Sequence, residues 1–147
     1  LSSGKGRIMI LNPEQALTGA LLIDPLTVRK CGNLKPDMFT DALLGRIYLE
    51  YVRACDFGYP ANLVTLAENI PDVSRQELMD CIKQCADSTV TSAAAGKYAD
   101  AVVAAYKARR APQLVNAVNF QSADIERQIG ELVNALKVLR DGGRITA

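Results

Sequence analysis

Apolar residues recur at helical spacing through most of this chain, and no stretch alternates with period two long enough to make a strand. Asn12 is a helix-capping residue, with Pro13 at the first helical position and Gln15 three residues on. A helix is therefore predicted from Pro13 to about Leu22, with Ala16, Leu17, Ala20 and Leu21 on one face. Asp24-Pro25 repeats the cap-and-proline start, and Gly32 closes a short helix after Cys31. Thr40 or Asp41 opens the next helix, whose apolar positions Leu43, Leu44, Ile47, Tyr48, Tyr51, Val52 and Cys55 keep helical spacing. Gly58 and Pro60 break the chain, and Asn62 restarts it through Leu63, Leu66 and Ala67 to Ile70. Ser74-Arg75-Gln76-Glu77 has the pattern of a capping box ahead of Leu78, Cys81, Ile82 and Cys85. Glu14 and Asp24 fall at helix starts, where a carboxylate complements the helix dipole, so capping outranks acid–base chemistry for both.

After Thr91 the texture changes. Fourteen of the twenty alanines lie from Ala86 onward, in a long helical pattern from about Ser92 to Phe120 that Pro112 should kink or break. Gln121-Ser122 supplies a turn and an N-cap, and a last helix runs to about Arg140, ahead of Gly142-Gly143. In it Ile125, Ile129, Leu132, Leu136 and Leu139 are spaced 4, 3, 4, 3, a heptad seam of just over two repeats. The spacing fits one arm of a helical hairpin that meets a partner, or an amphipathic helix lying on its own core. The expected architecture is all-α: residues 1–11 a flexible segment, 12–90 a globular multi-helix head, 91–140 an antiparallel hairpin, and 141–147 the start of a linker.

Composition narrows the function. The 147 residues carry 17 Lys+Arg against 16 Asp+Glu, balanced in both halves of the chain, whereas a DNA-coating domain has a strong basic excess. The polar start from Leu1 to Arg7 lacks the apolar run of a secretory signal, no stretch reaches the length of a membrane span, and a cytoplasmic protein is expected. With Leu rather than Met in first position, the chain reads as a domain cut from a longer protein. There is no His, which excludes Ser-His and Cys-His nucleophile pairs. Of the four cysteines only Cys81 and Cys85 are close, and a zinc site wants two close pairs or Cys with His. The four are expected to be reduced, metal-free and small buried hydrophobes. Gly4-Lys5-Gly6 lacks the spacing of a phosphate-binding loop. Lys107-Ala108-Arg109-Arg110 is the densest basic run, a solvated helix face or else a contact for nucleic acid or an acidic partner. No catalytic, cofactor-binding or metal-binding residue is recognisable.

Four blocks, in order, resemble the N-terminal domain of DnaB-type replicative DNA helicases. Glu14 to Pro25 is similar to the family's opening, an aliphatic-Leu-Gly-small-Leu-Leu-x-Asp stretch. Asp37-Met38-Phe39 followed by Leu44-Gly45-Arg46-Ile47-Tyr48 looks like the second block, and Gly58 to Leu66 like its Gly-x-Pro-x-Asp-x-Val-Thr-Leu. Tyr98-Ala99-Asp100-Ala101-Val102 with Arg109 is similar to the fourth. The resemblance covers about Asn12 to Ala111, while the last helix matches the family's hairpin in position only. Leu44-Gly45 stands where the family has His-Arg, Asn62 where it has Asp, and Pro112 is unexpected in the first arm.

The resemblance implies a non-catalytic domain that precedes a motor domain holding ATP and magnesium, absent from this chain, through which the helicase mainly acts on DNA. It implies pairing through the hairpins, into dimers and then a trimer-of-dimers collar where primase docks and helicase loaders act. Ile125, Ile129, Leu132, Leu136 and Leu139 are then the expected interface, and Lys107, Arg109 and Arg110 the basic contact. A free-standing helical adaptor resembling a helicase loader is the alternative function, distinguished by whether a phosphate-binding loop lies downstream.

Overall fold

The computed structural model describes residues 12–89 and 91–142, all-helical with no strand among them. The expectations for residues 1–11, Gly4-Lys5-Gly6 included, and for residues 143–147 of the linker lie outside the described residues. The chain divides into two compact units, one through Val102 and one from Val103. The division thus falls inside a helix, later than the change in texture at Thr91.

In the first unit, α1 spans Pro13–Ile23, and Asn12 caps it by accepting the backbone N–H groups of Glu14 (3.0 Å) and Gln15 (3.2 Å). Its face of Ala16, Leu17, Ala20 and Leu21 is completely buried. The helix expected after Asp24 is a 3-10 turn, Pro25–Lys30, capped by the Asp24 carboxylate on Leu26 N–H. A second 3-10 turn, Pro36–Met38, leads to α2, Ala42–Phe57, whose cap is Asp41. Gly58, at φ 75°, ends α2 in the left-handed conformation that a side chain disfavours. Helix α3, Leu63–Asn69, starts on a reciprocal pair: Asn62 accepts Thr65 N–H, and the Thr65 hydroxyl accepts Asn62 N–H. Helix α4, Arg75–Asp87, has only half the box expected at Ser74, whose hydroxyl accepts Glu77 N–H at 3.1 Å.

The core of this unit lies where α1, α2 and α4 meet, around Leu17, Leu21, Leu44, Ile47, Leu66 and Leu78. Gly19 lets α1 and α4 approach closely: a Cβ there would lie 2.2 Å from Thr89 Oγ1 and 2.3 Å from the Cys85 carbonyl. Thr89 locks the contact by donating its hydroxyl to Ala16 O at 2.7 Å. Glu14 departs from the expected dipole role. Its buried carboxylate accepts Thr40 N–H, Thr40 Oγ1–H and Asp41 N–H at 2.8–3.1 Å, tying the start of α1 to the start of α2.

A 3-10 turn at Ser92–Ala94 precedes α5, Ala95–Asn116, whose buried residues Ala95, Ala99 and Val102 all precede the division. Pro112 does not break α5, which continues through it to Asn116. Four residues follow Pro112 before the end, so the helix carries the missing N–H bond within its final turns. Helix α6 is Ile125–Arg140. Its N-cap is Asp124, not Ser122, and no side chain caps it. No helix among the described residues is long and apolar enough to cross a membrane.

Candidate functional site

The second unit is an antiparallel pair, the latter part of α5 against α6, clamped at both ends. At the tip, Gln128 Oε1 accepts Asn119 N–H at 2.8 Å, while Gln128 Nε2 donates to Asp124 at 2.7 Å. Asp124 also accepts from Ser122 Oγ and from the Arg127 guanidinium. Hydrogen bonds from Ser122, Gln128 and Arg127, in that order, hold its carboxyl well below the usual carboxylate range. At the open end, Lys107 Nζ donates to the Arg140 carbonyl at 2.7 Å. That carbonyl belongs to the last turn of α6, which has no partner within its own helix and attracts a cation.

The rest of the basic run is also engaged within the hairpin. Arg109 lies over the Tyr106 ring, 5.8 Å from its centre, and Arg110 donates to Gln113 Oε1 at 3.1 Å.

The two helices leave an apolar face largely uncovered. Leu132 and Ala135 line a shallow cleft with Leu114, Ala117 and Val118, and Val138 and Leu139 line another with Tyr106 and Leu114. These residues lean toward α5. Ile129, one helical turn before Val133, is 46% exposed, and Val133 is 43% exposed. Ile125, Leu132, Leu136 and Leu139 are half-buried, and no residue of α6 is buried. All five predicted seam residues therefore belong to one helix face. The heptad spacing missed Val133, because a strict 4-3 count skips positions flanking the seam that a wider stripe includes. The missing signal was its spacing of four from Ile129.

Among the described residues no group of three or more His, Cys, Asp and Glu side chains is placed to hold a metal ion. All four cysteines are free thiols. Cys85 is buried, whereas Cys55 is partly exposed and its Sγ accepts Arg29 Nε–H at 3.3 Å. Burial accounts for Cys31 and Cys85 as small core residues, and Cys55 and Cys81 lie at the core's margin.

No curated protein matches the chain. Among solved structures it is similar to the N-terminal domain of DnaB helicase from Mycobacterium tuberculosis, with a TM-score of 0.57 at 20% identity, over 86% of this chain and 92% of that one. That share of the chain is larger than the first unit alone, so the likeness in fold reaches into the hairpin unit. The model of the DnaB-like helicase N terminal domain matches residues 9–104, which include every helix of the head. With its four ordered sequence blocks, its all-helical head and a match over more than half its length, the chain belongs to the DnaB-like helicase N-terminal domain family.

Proposed function

We propose that this chain is the assembly and partner-docking domain of a hexameric replicative helicase, with no catalysis of its own. It pairs with a second copy through the hairpin, the pairs close into a collar of three dimers, and primase and the helicase loader dock on that collar. ATP and magnesium are the business of a motor domain outside these residues, through which DNA is moved. The observation that supports this most is the face of α6. A two-turn run of aliphatic side chains, with Ile129 and Val133 more than two-fifths exposed, is the kind of contiguous apolar patch that marks an interface. The same patch serves both copies in a two-fold dimer. The partners already held by Lys107, Arg109 and Arg110 favour a protein-binding hairpin over a nucleic-acid surface.

The test is self-association, followed by light scattering across concentration with circular dichroism as the folding control. Fully burying one Leu or Ile is worth roughly 1.5–3 kcal/mol, so a carboxylate at the seam should weaken pairing about tenfold or more. Ile129→Asp is the cleaner variant because its side chain is exposed in one copy, and Leu132→Asp probes the side that leans on α5. The expected result is a mass that rises with concentration for the natural chain and stays monomeric for both variants at unchanged helicity. Equal association by all three, or a natural chain that stays monomeric at high concentration, refutes the assembly.

A further inference from the structure

The first unit carries a separate apolar feature that hairpin pairing does not use. Where α1, α2, α3 and α4 meet lies a cleft of about 440 Å³. Tyr51 and Leu66, 3% and 1% exposed, form its floor, and Leu22, Leu63, Met79 and Ile82 form its walls. Met79 is 44% exposed, so the apolar lining reaches the rim of the cleft. A second cleft of about 320 Å³ adjoins it through the shared residues Tyr51 and Ala61, with Leu26 and Arg29 on its wall.

The charges are one-sided. No Asp or Glu lines either cleft, although the chain has 16 of them, and the charged residues present are Lys83 and Arg29. Lys83 has no ion-pair partner among the described residues, and Asp80, three residues before it on α4, is engaged by Gln76 Nε2 at 2.9 Å. The polar group nearest to a ligand anchor, Asn62, is spent on capping α3. A small-molecule site needs several convergent polar groups to fix its ligand, whereas most of this cleft's lining is aliphatic and its one charged side chain is Lys83.

We propose that the four-helix cleft of the head receives an amphipathic helix of a protein partner, its apolar ridge seated on Tyr51 and Leu66 and an acidic side chain of the helix paired with Lys83. An apolar groove rimmed by an unpaired cation fits the helix-in-groove mode of recognition, in which anchors at i, i+3, i+4 and i+7 enter the groove and flanking charges set the orientation. The proposal rests on the reading of the chain as a docking domain and gives that reading a surface and a partner chemistry.

The experiment is an amide-shift titration of the full, isotope-labelled chain with synthetic helical peptides. Each peptide carries leucines at i, i+3, i+4 and i+7, and the flanking positions are all glutamate in one and all lysine in the other. The glutamate peptide should shift the amides of Leu63, Ile82 and Lys83, while the lysine peptide leaves them in place. Met79→Glu, at an exposed position, should weaken binding about tenfold or more and Lys83→Glu about threefold, with helicity unchanged in both. Absence of binding, equal binding of the two peptides, shifts confined to the hairpin, or insensitivity to Met79→Glu overturns the proposal. So do shifts of the same amides on simple dilution, which would assign the cleft to a second copy of this chain. Light scattering on the same samples separates the two ideas: a chain that dimerises through α6 but ignores the peptide keeps the assembly and loses the cleft.

Discussion

Three residues carry more of the structure than their types suggest. Gly19 is needed for want of space rather than for its backbone angles: α1 and α4 touch there, and the nearest atoms include a backbone carbonyl that cannot rotate away. Gly19→Ala should destabilise the head by about 3 kcal/mol, read as a fall in the denaturant midpoint at unchanged slope. Gly45 is similar, since a Cβ there would lie 2.7 Å from Pro36 O. Asp124 is the third. A carboxyl whose folded pKa lies below its ordinary value of 3.8 adds stability above that value and loses it as pH falls into the folded range. The tip of the hairpin should therefore loosen as pH drops below about 4. Amide exchange at Asn119 and Gln128 reads this directly, and Asp124→Asn should show the fast exchange already at neutral pH, with the head unaffected.

At the scale of elements, caps and breakers were legible because they act within a turn of the chain. Asn12, Asp41, Asn62 and Ser74 all accept backbone N–H groups where a cap was expected, and Gly58 ends α2. The reading failed where local chemistry competes with context. Ser122 has the composition of a cap but is drawn into the Asp124 side chain instead. Pro112 has the composition of a breaker, yet α5 runs through it to Asn116, with the strong helix formers Ala108 and Ala111 just before it. A proline inside a helix costs a backbone hydrogen bond, so Pro112→Ala should raise stability of the hairpin by about 1–3 kcal/mol, after allowance for the greater freedom it gives the unfolded chain. A calorimetric or helicity-monitored melt shifted upward is the expected result, and an unchanged or lower melting temperature would mean that Pro112 is held in a shape the helix needs.

For the whole molecule, a domain that assembles and docks partners, as proposed, needs no chemistry of its own. A chain of this kind should show no nucleotide turnover above background and no stoichiometric zinc, and a purified sample assayed for phosphate release and by metal analysis checks both. Turnover that vanishes with Lys5→Ala would restore the phosphate-loop reading of the start of the chain. The sequence by itself determined the helix content, most helix boundaries, the family and the apolar stripe on α6, since each is written in short-range spacing or in ordered motifs. It also left the seam's two readings open, because periodicity says that a face is apolar and not what covers it. Tertiary structure decided that α5 covers only one edge of α6, that Glu14 is buried beneath Thr40, and that four helices of the head enclose a cleft without acids. These depend on residues far apart in the chain, whose proximity no local pattern encodes: Glu14 meets Thr40 and Asp41, Gly19 meets Thr89, and Leu22 and Met79 come to line one cleft only once the helices have packed.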